Sequence, residues 1–198
     1  LVCHPDKPWK SFADIMEGAK KDPGKINYGS IGTGSLGHLT GVLLTKRAGI
    51  QMTHVPFRGG GPLLNDTVAG HIDTGMASSA LYNQQIGGGT LRPLIQTGAS
   101  RAGNAKNTPT AIELGYTGFE SYAWWGVFGP KGTPAELVDK MRATLIEILK
   151  KPVPYKQVTE NMQLTPTFGG PAELRAWLTG QMKLWGEVVR ENGIKAGN

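Results

Sequence analysis

A chain of 198 residues, 39% hydrophobic and 18% charged, is long enough to bury one large domain or two small ones and is expected to be soluble and folded. No stretch approaches the apolar length of a membrane span, and one cysteine, Cys3, cannot form an internal disulfide. The formal charge of +6 favours anionic partners, but Lys and Arg fall in scattered pairs (Lys20 with Lys21, Lys46 with Arg47, Lys150 with Lys151), which argues against nucleic acid.

The opening LVCHPDKPWK has no signal-peptide pattern and reads as the end of a strand, so a chain cut in mid-fold is expected there. Ser11 followed by Asp14 predicts a capped helix over 11–21, with Phe12, Ile15, Met16 and Ala19 on its apolar face. A strand over 25–30 and a glycine loop lead into a helix over 35–48 stopped by Gly49. The order repeats with a strand over 52–57, the turn Arg58, Gly59, Gly60, Gly61, a helix over 62–69 and a strand over 72–77. A short helix over 80–86 and a strand over 91–97 complete an alternation that predicts an open α/β sheet with helices on its faces.

Beyond residue 98 the character changes. A polar stretch over 98–107 and a helical turn over 110–114 precede the aromatic segment YAWWGVF, residues 122–128, which is expected as a strand. Three helices follow: one opening at Thr133 and Pro134 with Leu137, Met141, Leu145 and Ile148 as a core stripe, one over 154–162, and one over 171–191 with Leu174, Trp177, Leu178, Met182, Trp185 and Val189 inward. These helices bring no sheet of their own, so one complete and one incomplete lobe are expected, with the missing strands upstream of Leu1.

Gly32, Gly34 and Gly37 in YGSIGTGSLGHL match the dinucleotide fingerprint G-x-G-x-x-G. The acidic residue that holds the ribose about 20 positions later is absent, because the next strand ends in His54, Val55, Pro56, Phe57 and Arg58. A helix start binds any anion through its unpaired N–H groups and the positive end of its dipole, and Ser30, Thr33 and Ser35 add hydroxyls. The Gly59, Gly60, Gly61 turn repeats the device, and successive strand-to-helix turns of a parallel sheet share one edge. Two tight turns with capping hydroxyls are the plainer alternative. His38 is close enough to reach a bound anion or to pack locally; Ser78 and Ser79 end on the same edge or cap the next helix. Trp124 and Trp125 face opposite ways, and Trp125 is taken as the one lining the crevice. Nucleophile-elbow, zinc and paired-carboxylate patterns are missing, so neither a catalytic residue nor a metal or cofactor is expected.

In order along the chain, PWKSFADI (8–15), PGKINYGSIGTGSLGHL (23–39), HVPFRGGGP (54–62), AGHIDTGM (69–76), LRPLIQTGASR (91–101), TPTAIELG (108–115) and WGVFGPKGTP (125–134) resemble the Bug-type receptors of tripartite tricarboxylate transporters. The resemblance implies a type II periplasmic-binding-protein-like α/β fold: residues 1–7 as a crossover strand from lobe 1, 8–121 as the ligand-binding lobe 2, and 122–198 as the C-terminal part of lobe 1. It implies that Pro8 and residues 122–125 lie near the crossovers, and that Ser30, Thr33, Gly34 and Ser35 with the 59–61 turn supply an anion-binding surface. The resemblance also implies that the family's N-terminal segment is expected upstream of Leu1.

The expected function is that of a periplasmic, non-enzymatic receptor. It would close two lobes on a di- or tricarboxylate, amino acid or aromatic acid and deliver it to membrane permease subunits. A nucleotide-dependent oxidoreductase and an orphan signalling receptor are the alternatives.

Overall fold

The computed structural model describes residues 1–101, 103–117, 120–162 and 164–195. It divides into two compact units, Leu1–Ala123 with Thr179–Asn198, and Trp124–Leu178.

The first unit is built on a five-stranded mixed sheet in the order β3-β2-β4-β1-β5. Its strands are β1 (Val2–Cys3), β2 (Asn27–Ser30), β3 (Thr53–Pro56), β4 (Thr74–Gly75) and β5 (Arg92–Pro93). Both β3 and β4 run parallel to β2, whereas β1 lies antiparallel between β4 and β5. The strands expected over 72–77 and 91–97 are paired only at two residues each, β4 against Tyr28 and Gly29 of β2 and β5 against the two-residue β1. A separate bridge from Gln96 to Thr110 extends that end of the sheet.

Helices cover both faces. On one lie α1 (Phe12–Lys21) and α2 (Leu36–Ala48), whose Phe12, Ile15, Leu39, Leu43 and Leu44 join Tyr28, Leu94 and Ile95 in the larger core. On the other lie α3 (Gly60–Val68) and α4 (Ser79–Gly87), where Leu63 and Tyr82 meet Val2 and Leu91. The Ser11 hydroxyl accepts from Asp14 N–H while the Asp14 carboxylate accepts from Ser11 N–H, so α1 starts at a reciprocal cap. At the end of α2, Gly49 takes the left-handed conformation at φ 63° and Ile50 N–H bonds back to Thr45. Helix α3 begins at Gly60, two residues ahead of expectation, so Pro62 occupies its third position, still within the turn whose N–H groups lack helical partners.

The second unit holds α5 (Ala135–Leu149), α6 (Pro152–Lys156) and the beginning of α7 (Pro171–Glu191). Four expectations fail there and along α7. Residues 122–128 form no strand among the described residues, since no second strand is there to complete a ladder. The helix expected over 154–162 starts earlier and loosens after Lys156 into a π-turn over Gln157–Asn161. Along α5 the stripe Leu137, Met141, Leu145 and Ile148 is 39–49% exposed, because no described element lies over it. In α7, Val188 is buried on the first unit's core while the expected inward residue Met182 is 76% exposed. No described helix is long and apolar enough to cross a membrane.

Candidate anion-binding edge

Parallel pairing decides where the loops go. Ser30 stands opposite Pro56 in the β2–β3 register, and Gly29 opposite Gly75 in β2–β4, so all three strands end on one edge of the sheet. From that edge the chain enters α2, α3 and α4. Three contacts draw these turns together. A Cβ on Gly37 would overlap the Met76 carbonyl oxygen, one on Gly32 would lie 3.6 Å from the Phe57 carbonyl, and one on Gly60 would lie 3.1 Å from Leu81. The third glycine of the fingerprint thus serves close packing of α2 onto the end of β4.

The glycine loop is internally bonded. Gly32 and Gly34 have φ of 136° and 78°, conformations that side chains with a Cβ resist. The Ser30 hydroxyl, fully buried, donates to Gly32 C=O at 2.9 Å and lies 2.7 Å from His54 Nε2. The Ser35 hydroxyl donates to Ser30 Oγ at 3.2 Å and accepts from His38 N–H at 3.4 Å, capping α2. Gly34 N–H donates to His38 Nδ1 at 3.0 Å. His38 in turn stacks on His54, with ring centroids 3.8 Å apart and 14° between planes. Burial holds both imidazoles below the usual range, His54 to about 4, with His38 adding a smaller effect there.

The other two helix starts differ. Gly59, at φ 110°, precedes α3 and has no side chain to cap it, and Ser78 before α4 makes no capping hydrogen bond. A Cβ on Gly59 or on Gly61 would meet open space. The first-turn N–H groups of these two helices therefore have no acceptor from a capping side chain, the arrangement that receives an anion.

The structure thus links Ser30, Gly34, Ser35 and His38 by hydrogen bonds and sets Gly59, Gly60, Gly61, Ser78 and Ser79 at neighbouring turns. Thr33 and Arg58 are exposed, and Arg58 has no partner among the described residues. Trp125 lies in the second unit, 65% exposed, whereas Trp124 packs edge-on to Trp177 at 5.3 Å. His54 was not singled out as a site residue, yet it touches the loop directly. Its signal is the period of two: in register with Tyr28, it shares the sheet face of Tyr28 and Ser30, toward α2 and His38. Among the described residues no three His, Cys, Asp or Glu gather as a metal site.

Residues 1–194 match the family model described as "Tripartite tricarboxylate transporter family receptor". The chain belongs to this family. The family that the model describes is one of receptors. A Pseudomonas sp. (strain P51) protein, "UPF0065 protein in tcbD-tcbE intergenic region", is 30% identical over 99% of this chain and 58% of its own length. "Protein BugT" of Bordetella pertussis is 28% identical over 98% of this chain and 60% of its own. The structure of R. palustris Rpa4515 with adipate superposes with TM-score 0.85 at 28% identity, covering 98% of this chain and 64% of that one. The chain therefore spans about three fifths of these relatives, and the α/β fold is that of a two-lobed periplasmic binding protein of which one lobe is only partly represented.

Proposed function

We propose that this chain supplies the anion-binding lobe of a periplasmic receptor that captures a small organic carboxylate and delivers it to membrane permease subunits. The observation that carries the reading is the single sheet edge bearing three helix starts, two of them without side-chain caps and one opening on empty space at Gly59 and Gly61. Rpa4515, a relative solved with adipate, supports a dicarboxylate as the first acid to try. In this reading residues 8–121 are the ligand-binding lobe, residues 1–7 cross over from the other lobe and residues 122–198 belong to it. Ser30 and Gly34 shape the loop, while Thr33, Ser35, the 59–61 turn, Ser78 and Ser79 surround one carboxylate. Arg58, exposed just past the end of β3, bounds the ligand's remainder. Closure of the lobes follows from the ligand touching both, since only differential affinity shifts such an equilibrium.

The test is titration calorimetry on the full-length protein with adipate and a panel of di- and tricarboxylates, beside Gly61→Asp. The new carboxylate would enter open space at the start of α3, where it suits the dipole and leaves the fold intact. At least a tenfold loss of affinity is expected, about 1.4 kcal/mol. Unchanged affinity in the folded variant would remove the 59–61 turn from the site, and stabilisation by NAD(P) but by no acid would return the oxidoreductase reading.

A further inference from the structure

The stacked imidazoles beneath the glycine loop have no role in the proposed capture of a carboxylate, yet a hydrogen bond fixes the proton arrangement of one of them, His38. Gly34 N–H points at His38 Nδ1 from 3.0 Å, so that nitrogen must present a lone pair and the neutral ring carries its proton on Nε2. On the other ring, His54 Nε2 lies 2.7 Å from Ser30 Oγ, a contact in which either atom can be the donor. A second proton on His38 would go to Nδ1. There it sets two donors face to face and breaks the bond to Gly34.

We propose that His38 is a proton-operated brace of the glycine loop: neutral and stacked on His54 it holds Gly34 in its left-handed turn, and protonated it lets Gly34 go. The surroundings favour the neutral form. The face of His54 lies 3.8 Å away on β3, so a charge on one ring opposes a charge on the other. Tyr28 of β2 lies 5.1 Å from His54 and is itself held neutral by burial. Both rings line an open groove of about 480 Å³ along α2 and β3, with Lys46 and Asn192 also on its wall. Lys46 is the charged group there, tied to Glu191 of α7 at 2.6 Å. Among the described residues no carboxylate lies within ion-pair distance of either imidazole. His38 is thus a positioning residue acting through Gly34.

Because the loop is also the start of α2, acid would slacken the surface to which the proposed carboxylate binds, favouring release. This consequence rests on the receptor reading; the brace itself does not. Its sign is set by depressed pKa values: the brace is whole at neutral pH and is lost as pH falls below the ordinary imidazole value of 6.5.

The decisive experiment follows ring nitrogens and the Gly34 amide by NMR in ¹⁵N-labelled, ligand-free full-length protein from pH 8 to 4.5. The Gly34 amide proton is expected to move upfield with the midpoint of the His38 ring. In His38→Asn the side-chain oxygen stands near the place of Nδ1 and accepts the same N–H without titrating, so the amide should keep its neutral-pH position and its pH response should vanish. An amide that stays put while the His38 ring titrates, a response that survives in His38→Asn, or a ring that remains neutral until the fold is lost each overturns the proposal. None of these signals needs a carboxylate, so they stand or fall separately from the calorimetry.

Discussion

The two units use the same residue types to opposite ends. In Leu1–Ala123 with Thr179–Asn198, apolar faces from both sides of a sheet close into two clusters, and Leu63, Ile15, Phe12 and Leu44 are 0–1% exposed. In Trp124–Leu178 none of the described residues is a buried hydrophobic, although α5 also carries an apolar stripe, Leu137, Met141, Leu145 and Ile148. What holds that unit is mostly polar or aromatic: Arg142 donates to the carbonyls of Phe168 and Gly169, Lys150 lies over the Phe168 ring, and Trp124 meets Phe128 and Trp177. Helical periodicity specifies which face is apolar; a separate element must exist to cover it.

The largest effect expected from this contrast is in paired truncations. Leu63→Ala empties a fully buried position beneath α3 and should cost about 2–5 kcal/mol in urea unfolding. Leu145→Ala removes a side chain that is 39% exposed and should cost less than about 1 kcal/mol in this chain. Equal losses would mean that the α5 stripe is covered in solution and would dissolve the contrast.

Next in size is Gly37→Ala, which acts within the first unit at its functional edge. The added methyl would collide with the Met76 carbonyl, a backbone atom that cannot rotate away, so a loss of about 1–3 kcal/mol is expected. Gly61→Ala, where the methyl meets open space, is the control and should leave the midpoint nearly unchanged. A tolerated Gly37→Ala would show that α2 can draw back from β4, and with it that the loop edge is softer than its packing suggests.

Much of this division was legible beforehand, for identifiable reasons. Helices α1 and α2 fall within a residue of expectation because their ends are chemical: the Ser11 and Ser35 caps and the Gly49 stop act locally. Both glycine turns were placed on one edge because parallel order follows from the alternation of strand and helix. The strand over 122–128 was not legible, since a ladder depends on a partner elsewhere in the chain. His54 escaped notice for a similar reason. Its stack with His38 joins two elements through a register that only the folded sheet fixes, and neither residue has a metal or catalytic spacing in the sequence.

The smallest effect concerns the tie between α7 and α2, both within the first unit at that point. Lys46 Nζ approaches Glu191 at 2.6 Å, but both side chains are more than half exposed, at 56% and 59%. Water and salt screen such a pair, and ordering two long side chains offsets part of the attraction. What fixes the end of α7 is the burial of Val188 at 5% exposure, with Leu184, Trp185 and Val189 packed around the same core. Lys46→Met is therefore expected to change unfolding free energy by no more than about 0.5 kcal/mol, with the difference vanishing in 1 M salt. Val188→Ala should exceed it several-fold in the same titration. If the order were reversed, the end of α7 would be held by charge, and the distinction between a covered apolar unit and a polar-laced one would fail at the helix that leads from one to the other.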